Sequence, residues 1–286
     1  MRYDFFARPA TKNDQSALAK FINAAPRVHR HLDWCAPLDW LGKEPFWILD
    51  SDQGIQSVLA FPEDPPGTAW IRIFACAAGV SASECWEMLY PLCRQSFRKE
   101  PEPIIAALGL SEWFNGVLER NHFSVFHNIV SLTRDAQDPY PDLHSNPDVF
   151  VRLMEPDDLS IVAAIDQTAF QPIWQNSRAQ IDVSYEQALY ATVAEIKDQV
   201  VGYQISTSSL FSAHLARLAV DPLHQHQQIA ATLLIDLFQK FRNDRLWEIT
   251  VNTQDTNHRS LALYKKAGFK LTGEQYPVYT SENHLR

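Results

Sequence analysis

Apolar positions in this chain fall into short runs and helical stripes, most clearly between Leu215 and Phe241. One apolar run ends at Val220 and is broken by Asp221-Pro222; proline cannot donate to a sheet ladder, so the predicted strand stops there. A polar loop from Leu223 to Gln228 follows, and Ile229, Leu233, Leu234, Leu237, Phe238 and Phe241 then recur on one helix face. The pattern predicts a strand, a short loop and a long amphipathic helix. The first-turn amides of such a helix lack partners within it, and its dipole favours negative charge there, so the unit can hold a phosphate or pyrophosphate.

A second signal starts at Ile249. Ile249, Val251 and Thr253 alternate as a strand, Asn257 opens a short helix carrying Leu261, Tyr264 and Lys265, and Gly268 predicts a left-handed C-cap before Phe269. Upstream, residues 149–170 read as strand, turn and amphipathic helix, and a second helix is expected over 185–192. A hairpin about Lys197-Asp198 follows, with a bulge at Gly202. The first half keeps the same order: strand, turn and helix at its start, then a hairpin about Gln53-Gly54, one apolar strand over 68–77, a helix over 81–97, a strand over 104–110 and a helix over 112–121.

Between the halves, residues 135–148 are polar with three prolines and read as a linker. Arg8 and Asp14 are spaced as Arg152 and Asp158 are, and Phe123 stands opposite Phe269. We read two tandem copies of one fold, residues 1–134 and 149–286.

The length of 286 residues suits two domains, and 46% apolar with 21% charged residues suits a globular protein. No apolar run is long enough to span a bilayer, and the first residues lack the apolar core of a signal peptide, so a cytoplasmic protein without membrane partners is expected. The formal charge of −9 argues against nucleic acid, which calls for a basic face, and would steer a cationic or amine-bearing substrate. Cys35, Cys76, Cys85 and Cys93 have no C-x-x-C spacing and read as reduced structural thiols; His29 and His31 lack a completing ligand set, so no metal is expected. Trp34 and Trp40 read as a packed lid, a domain interface or cleft walls.

The Val220-Asp221-Pro222 strand end and the loop Gln225-His226-Gln227-Gln228-Ile229-Ala230 resemble motif A of the GCN5-related N-acetyltransferases (GNAT), whose pyrophosphate loop reads Gln/Arg-x-x-Gly-x-Gly/Ala. Gln225 and Ala230 fit; Gln228 stands where the family has glycine, and its side chain must swing clear of a ligand. Asn257, Tyr264, Gly268 and Phe269 are similar to motif B, with Ser260 replacing its alanine and Leu263 in its leucine place. The resemblance implies an α/β fold with two tandem GNAT-like domains, each a mostly antiparallel twisted sheet flanked by helices.

It also implies acetyl-CoA as acyl donor and direct attack by a primary amine in a ternary complex. The main chain of Leu218, Ala219 and Val220 would pair with the pantetheine arm and polarise the thioester carbonyl. Gln225, His226, Gln227, Gln228, Ile229, Ala230 and Ala231 would hold the pyrophosphate, and Asn257 would contact the pantetheine. Tyr264 would protonate the leaving thiolate, since a phenol of reference pKa about 10 is protonated at neutral pH. The position aligned with the family's base is Asn252, which cannot accept a proton; water, Asp166 or Glu195 remain. Phe170, Trp174 and Tyr185 would be acceptor-pocket walls or plain helix packing.

In the first half, Ala77-Ala78-Gly79-Val80-Ser81 replaces the loop and Leu118 stands opposite Tyr264. That half is expected to be a degenerate copy without coenzyme, shaping the substrate side or kept for stability. The acceptor is a small-molecule or protein amine, and the protein a monomer or a homodimer. The alternative function is a catalytically inactive acyl-CoA-binding or scaffold protein.

Overall fold

The computed structural model describes residues 4–97, 101–139, 141–209, 211–244 and 246–281. The chain divides into two units, Met1–Phe126 with Pro277–Arg286, and His127–Tyr276, each with helices against β-sheet.

The first unit runs β1 (Phe6–Pro9), α1 (Gln15–Ala24), β2 (Arg27–Arg30), β3 (Phe46–Ser51), β4 (Gly54–Ala60), β5 (Thr68–Trp70), β6 (Ile73–Cys76), α2 (Ala82–Gln95), β7 (Ile104–Leu108) and α3 (Glu112–Arg120). An antiparallel sheet has the order β1-β3-β4-β6-β2. β5 pairs in parallel with β7, and Val278–Thr280 add to β7 antiparallel. The β3–β4 hairpin turns as expected, with Gly54 at φ +90°. Residues 68–77 do not form one strand. The Ile71 N–H bonds to Ala106 O and the Arg72 N–H to Ala60 O, so the chain changes partner strands between them. The cause is the buried Arg72 guanidinium, which pairs with Asp33, donates to Asp64 O (3.0 Å) and stacks 4.3 Å from the Trp40 ring centre.

β8 (Phe123–Asp135) enters the second unit at His127. There follow β9 (Phe150–Leu153), α4 (Leu159–Ala169), α5 (Arg178–Glu186), β10 (Tyr190–Ile196), β11 (Gln199–Ser209), β12 (Ser212–Val220), α6 (Ile229–Asn243), β13 (Glu248–Gln254), α7 (His258–Lys266) and β14 (Lys270–Ser281), which leaves this unit after Tyr276. The sheet order is β14-β8-β13-β12-β11-β10-β9, and residues 135–148 lie within this unit. The second helix begins at Arg178 rather than at Tyr185, because the Ser177 hydroxyl caps it by accepting from Gln180 N; Tyr190 onward is strand instead. The β10–β11 turn places Lys197 and Asp198 at positive φ, and the bulge leaves Val201 without a β10 partner beside Gly202.

The Arg-to-Asp spacing seen twice in sequence is the same clamp twice. Arg8 grips Asp14 with bonds of 2.8 and 3.0 Å and reaches Asp50; Arg152 grips Asp158 at 2.7 and 2.8 Å and reaches Glu195. In each unit the pair ties the strand that precedes the first helix to the turn between them. Cys76, Cys85 and Cys93 are buried thiols outside any disulfide. No helix among the described residues is long and apolar enough to cross a membrane.

Candidate active site

The site begins where two parallel strands part. β12 and β13 are paired from Ser212↔Glu248 to Leu215↔Val251, and both continue beyond, to Val220 and Gln254. On its other side β12 stays paired to β11 as far as Gly202↔Val220, with Ala216 bulged out of register. Backbone polar groups of 217–220 on the β13 side therefore have no ladder partner among the described residues, an arrangement an extended amide-bearing ligand can fill. Gly202 sits opposite the strand end because space there is short: a Cβ would lie 3.0 Å from Ala219 O and 3.2 Å from Ile229 Cγ2.

After Val220, Asp221 caps the turn that follows by accepting from Leu223 N at 3.0 Å. Gln228 is the N-cap of α6 and takes a left-handed conformation, φ +61° and ψ 12°, with no side-chain cap bond; His226 is left-handed as well. Position 228 thus has the backbone that glycine adopts freely, and a glutamine there carries a strain of about 1 kcal/mol. With no cap from the side chain, the first amides of α6 are left for a ligand. Gln225 braces the loop by donating to Val220 O (3.4 Å) and accepting from Arg259 (3.3 Å). Asn146 pins the far side, donating to Gln227 O at 2.9 Å and to Thr232 Oγ1 at 3.0 Å.

α7 is fixed at both ends. Asn257 Oδ1 accepts from Ser260 N at 3.2 Å as the N-cap. At the other end Phe269 N bonds to Tyr264 O (2.9 Å) and Gly268 N to Lys265 O (3.0 Å), with Gly268 at φ +88°, a Schellman closure. A Cβ at Gly268 would meet Arg134 Nη1, itself held by Ala267 O at 3.0 Å. The closure holds Tyr264 against Phe269, ring centres 5.7 Å apart. Tyr264 is 6% exposed, and its hydroxyl has no protein partner among the described residues. Burial pushes its phenol above the ordinary value, with Arg217 pulling the other way, so it keeps its proton at neutral pH.

These parts enclose one cavity of about 640 Å³. Of the residues expected from sequence, Leu218, Ala219, Val220, Gln225, His226, Gln228, Ile229, Ala230, Ala231, Asn257 and Tyr264 line it; Gln227 does not. Phe170 also lines it, whereas Trp174 and Tyr185 do not; the Tyr185 hydroxyl turns to Met154 O. Sequence reasoning missed Arg259, Leu263 and Lys266, although their spacing along α7 matches the cavity face that Tyr264 shares. It also missed Leu143 and His144, which sit in the supposed linker and carry no periodic signal.

No aspartate or glutamate lines the cavity among the described residues. Asp166 is fully buried and committed elsewhere: it takes Arg217 at 2.7 and 2.9 Å, Asn176 N at 2.7 Å and the Tyr203 hydroxyl. Glu195 belongs to the Arg152 clamp, and Asn252 lies exposed on β13. Neither carboxylate is placed as a base at this cavity.

Residues 157–279 match the model of the acetyltransferase (GNAT) domain. No curated protein matches the chain in sequence. Among solved structures, a GCN5-related N-acetyltransferase from Sphaerobacter thermophilus is similar at 15% identity, TM-score 0.60, over 97% of this chain and 95% of that one. A tandem GNAT protein from the clavulanic acid biosynthesis pathway aligns at 15% identity and TM-score 0.59 over 98% of both chains. A GCN5-related N-acetyltransferase from Kribbella flavida aligns at 12% and TM-score 0.64, over 97% of this chain and 70% of that one. At such identities the likeness is one of fold.

Proposed function

We propose that this chain, whose residues 157–279 match the acetyltransferase (GNAT) domain, moves an acetyl group from acetyl-CoA to a primary amine. The observation that carries the reading is the single cavity joining an unpaired strand end, an uncapped helix N-terminus and a protonated phenol.

In this reading the pyrophosphate sits on the amides of 226–231, with the cationic side chains of Arg259 and Lys266 on the same cavity wall. The pantetheine arm runs back along Val220, Ala219 and Leu218, and backbone N–H of that strand end polarises the thioester carbonyl. The amine nitrogen attacks the carbonyl carbon, the new C–N bond forms and the C–S bond breaks. Tyr264 gives its phenolic proton to the leaving sulfur, and the proton lost by the attacking nitrogen leaves through water, which then restores the phenol. Water is assigned here because no carboxylate lines the cavity among the described residues. The first half of the chain binds no coenzyme in this account.

Turnover of acetyl-CoA with a panel of primary amines, followed as free CoA thiol, tests it. Tyr264→Phe should lower turnover about 100-fold while CoA affinity stays within about twofold. Unchanged turnover would remove Tyr264 from the mechanism, and no turnover with any amine would favour a binding or scaffold role.

A further inference from the structure

β12 runs toward the coenzyme loop, so within the cavity Val220 is the residue nearest the loop and Leu218 lies farther back. A coenzyme laid along this strand with its pyrophosphate on α6 brings its thioester and acyl group to the Leu218 end. The next residue back, Arg217, has its guanidinium carbon 3.7 Å from the centre of the Phe170 ring, and Phe170 with Ala169 lines the cavity. Phe170 therefore stands where the acyl group arrives.

This phenyl ring is held rather than hinged. Arg217 is locked by the buried Asp166 and by a bond to Trp174 O at 2.5 Å, and Asp166 is locked in turn by Tyr203 and Asn176 N. The Phe170 main chain is fixed on both sides: its N–H bonds to Asp166 O (3.2 Å), and its carbonyl accepts from Gln175 at 3.0 Å. Moving the ring aside would give up its stacking on a guanidinium that cannot follow it. We propose that Phe170, fixed by the Asp166–Arg217–Tyr203 network, is a specificity-determining residue that closes the acyl end of the cavity, so the chain takes acetyl-CoA and rejects longer acyl-CoAs.

This rests on the acyl-CoA reading above, and the test separates the two. Calorimetric titration of the full chain with CoA, acetyl-CoA and hexanoyl-CoA should give similar affinities for the first two and at least about 10-fold weaker binding for hexanoyl-CoA. Phe170→Ala should bring hexanoyl-CoA to within about threefold of acetyl-CoA, with CoA itself unchanged. Phe170→Leu, which keeps much of the bulk, should fall between, and unaltered CoA affinity shows that each variant is folded. Hexanoyl-CoA binding wild type as tightly as acetyl-CoA would overturn the proposal alone, as would a ratio that neither variant moves. Absence of CoA binding by wild type would overturn both readings.

Discussion

The starts of α2 and α6 are the corresponding points of the two units, and they are finished in opposite ways. Ser81 caps α2 with its own hydroxyl, accepting from Glu84 N, and Gly79 supplies the positive φ of the approach. At α6 a strained Gln228 stands in the cap position and offers its helix no side-chain bond. The cavity beside the α2 start is about 250 Å³, against about 640 Å³ at α6. Where α7 carries Tyr264, the earlier helix carries the fully buried Leu118, and Trp86, Phe114 and Phe123 pack in the same core. The Arg-to-Asp clamp at the front of each unit is retained. The residues that hold each fold are thus distinct from those to which the proposed chemistry is assigned.

The largest expected effect concerns how each unit is completed. Residues 129–135 of β8 pair with β13 from Gln254 to Glu248, and Leu132 is buried in the core with Tyr264 and Phe269. A fragment of residues 149–276 would leave the β13 edge open and lose that core residue. It should lack a cooperative melt, whereas residues 127–276 should show one; a cooperative melt of the shorter piece would break the account of the units.

Acid should strike the first unit next hardest. Burial drives the His29 imidazole down to about 4, with its bond to Ile71 O pulling the other way, and burial also lowers His31. A free histidine titrates near 6.5. Between pH 6.5 and 4 the unfolded chain therefore binds more protons than the folded one. The stability is fully present above pH 6.5 and falls as pH drops, by about 3 kcal/mol for His29 alone. Denaturant melts across that window check this, and His29→Phe should flatten the slope; an unchanged slope would mean that the imidazole is not kept neutral by burial.

The smallest effects are opposite in sign at the two helix starts. Ser81→Ala should destabilise by about 1 kcal/mol through loss of the cap. Gln228→Gly should stabilise by up to about 1 kcal/mol by relieving the left-handed strain, and tighten acetyl-CoA binding by clearing the loop. Chemical denaturation midpoints read both. A loss of stability on Gln228→Gly would show that the side chain does something that the backbone geometry does not reveal.

Much of this was legible in the sequence because period and punctuation carry it. Asp221-Pro222 ends β12, Gly268 closes α7, and Arg8/Asp14 with Arg152/Asp158 mark equivalent turns. The loop residues singled out from sequence line the cavity, apart from Gln227, whose carbonyl bonds to Asn146. Several misses depend on partners distant in sequence. Arg72 breaks an apolar run only because Asp33 and Asp64 lie beside it. Asp166 looks like a free carboxylate until Arg217 and Tyr203 are seen to close on it. Leu143 and His144 line the cavity in a stretch whose composition reads only as linker.

The central claim, one working coenzyme site in two copies of one fold, is most directly tested by calorimetric titration of the full chain with CoA. One site per chain is expected, abolished by Ala230→Asp, which sets a carboxylate against the pyrophosphate at the start of α6. Two sites per chain, no site, or one site that survives Ala230→Asp would contradict it.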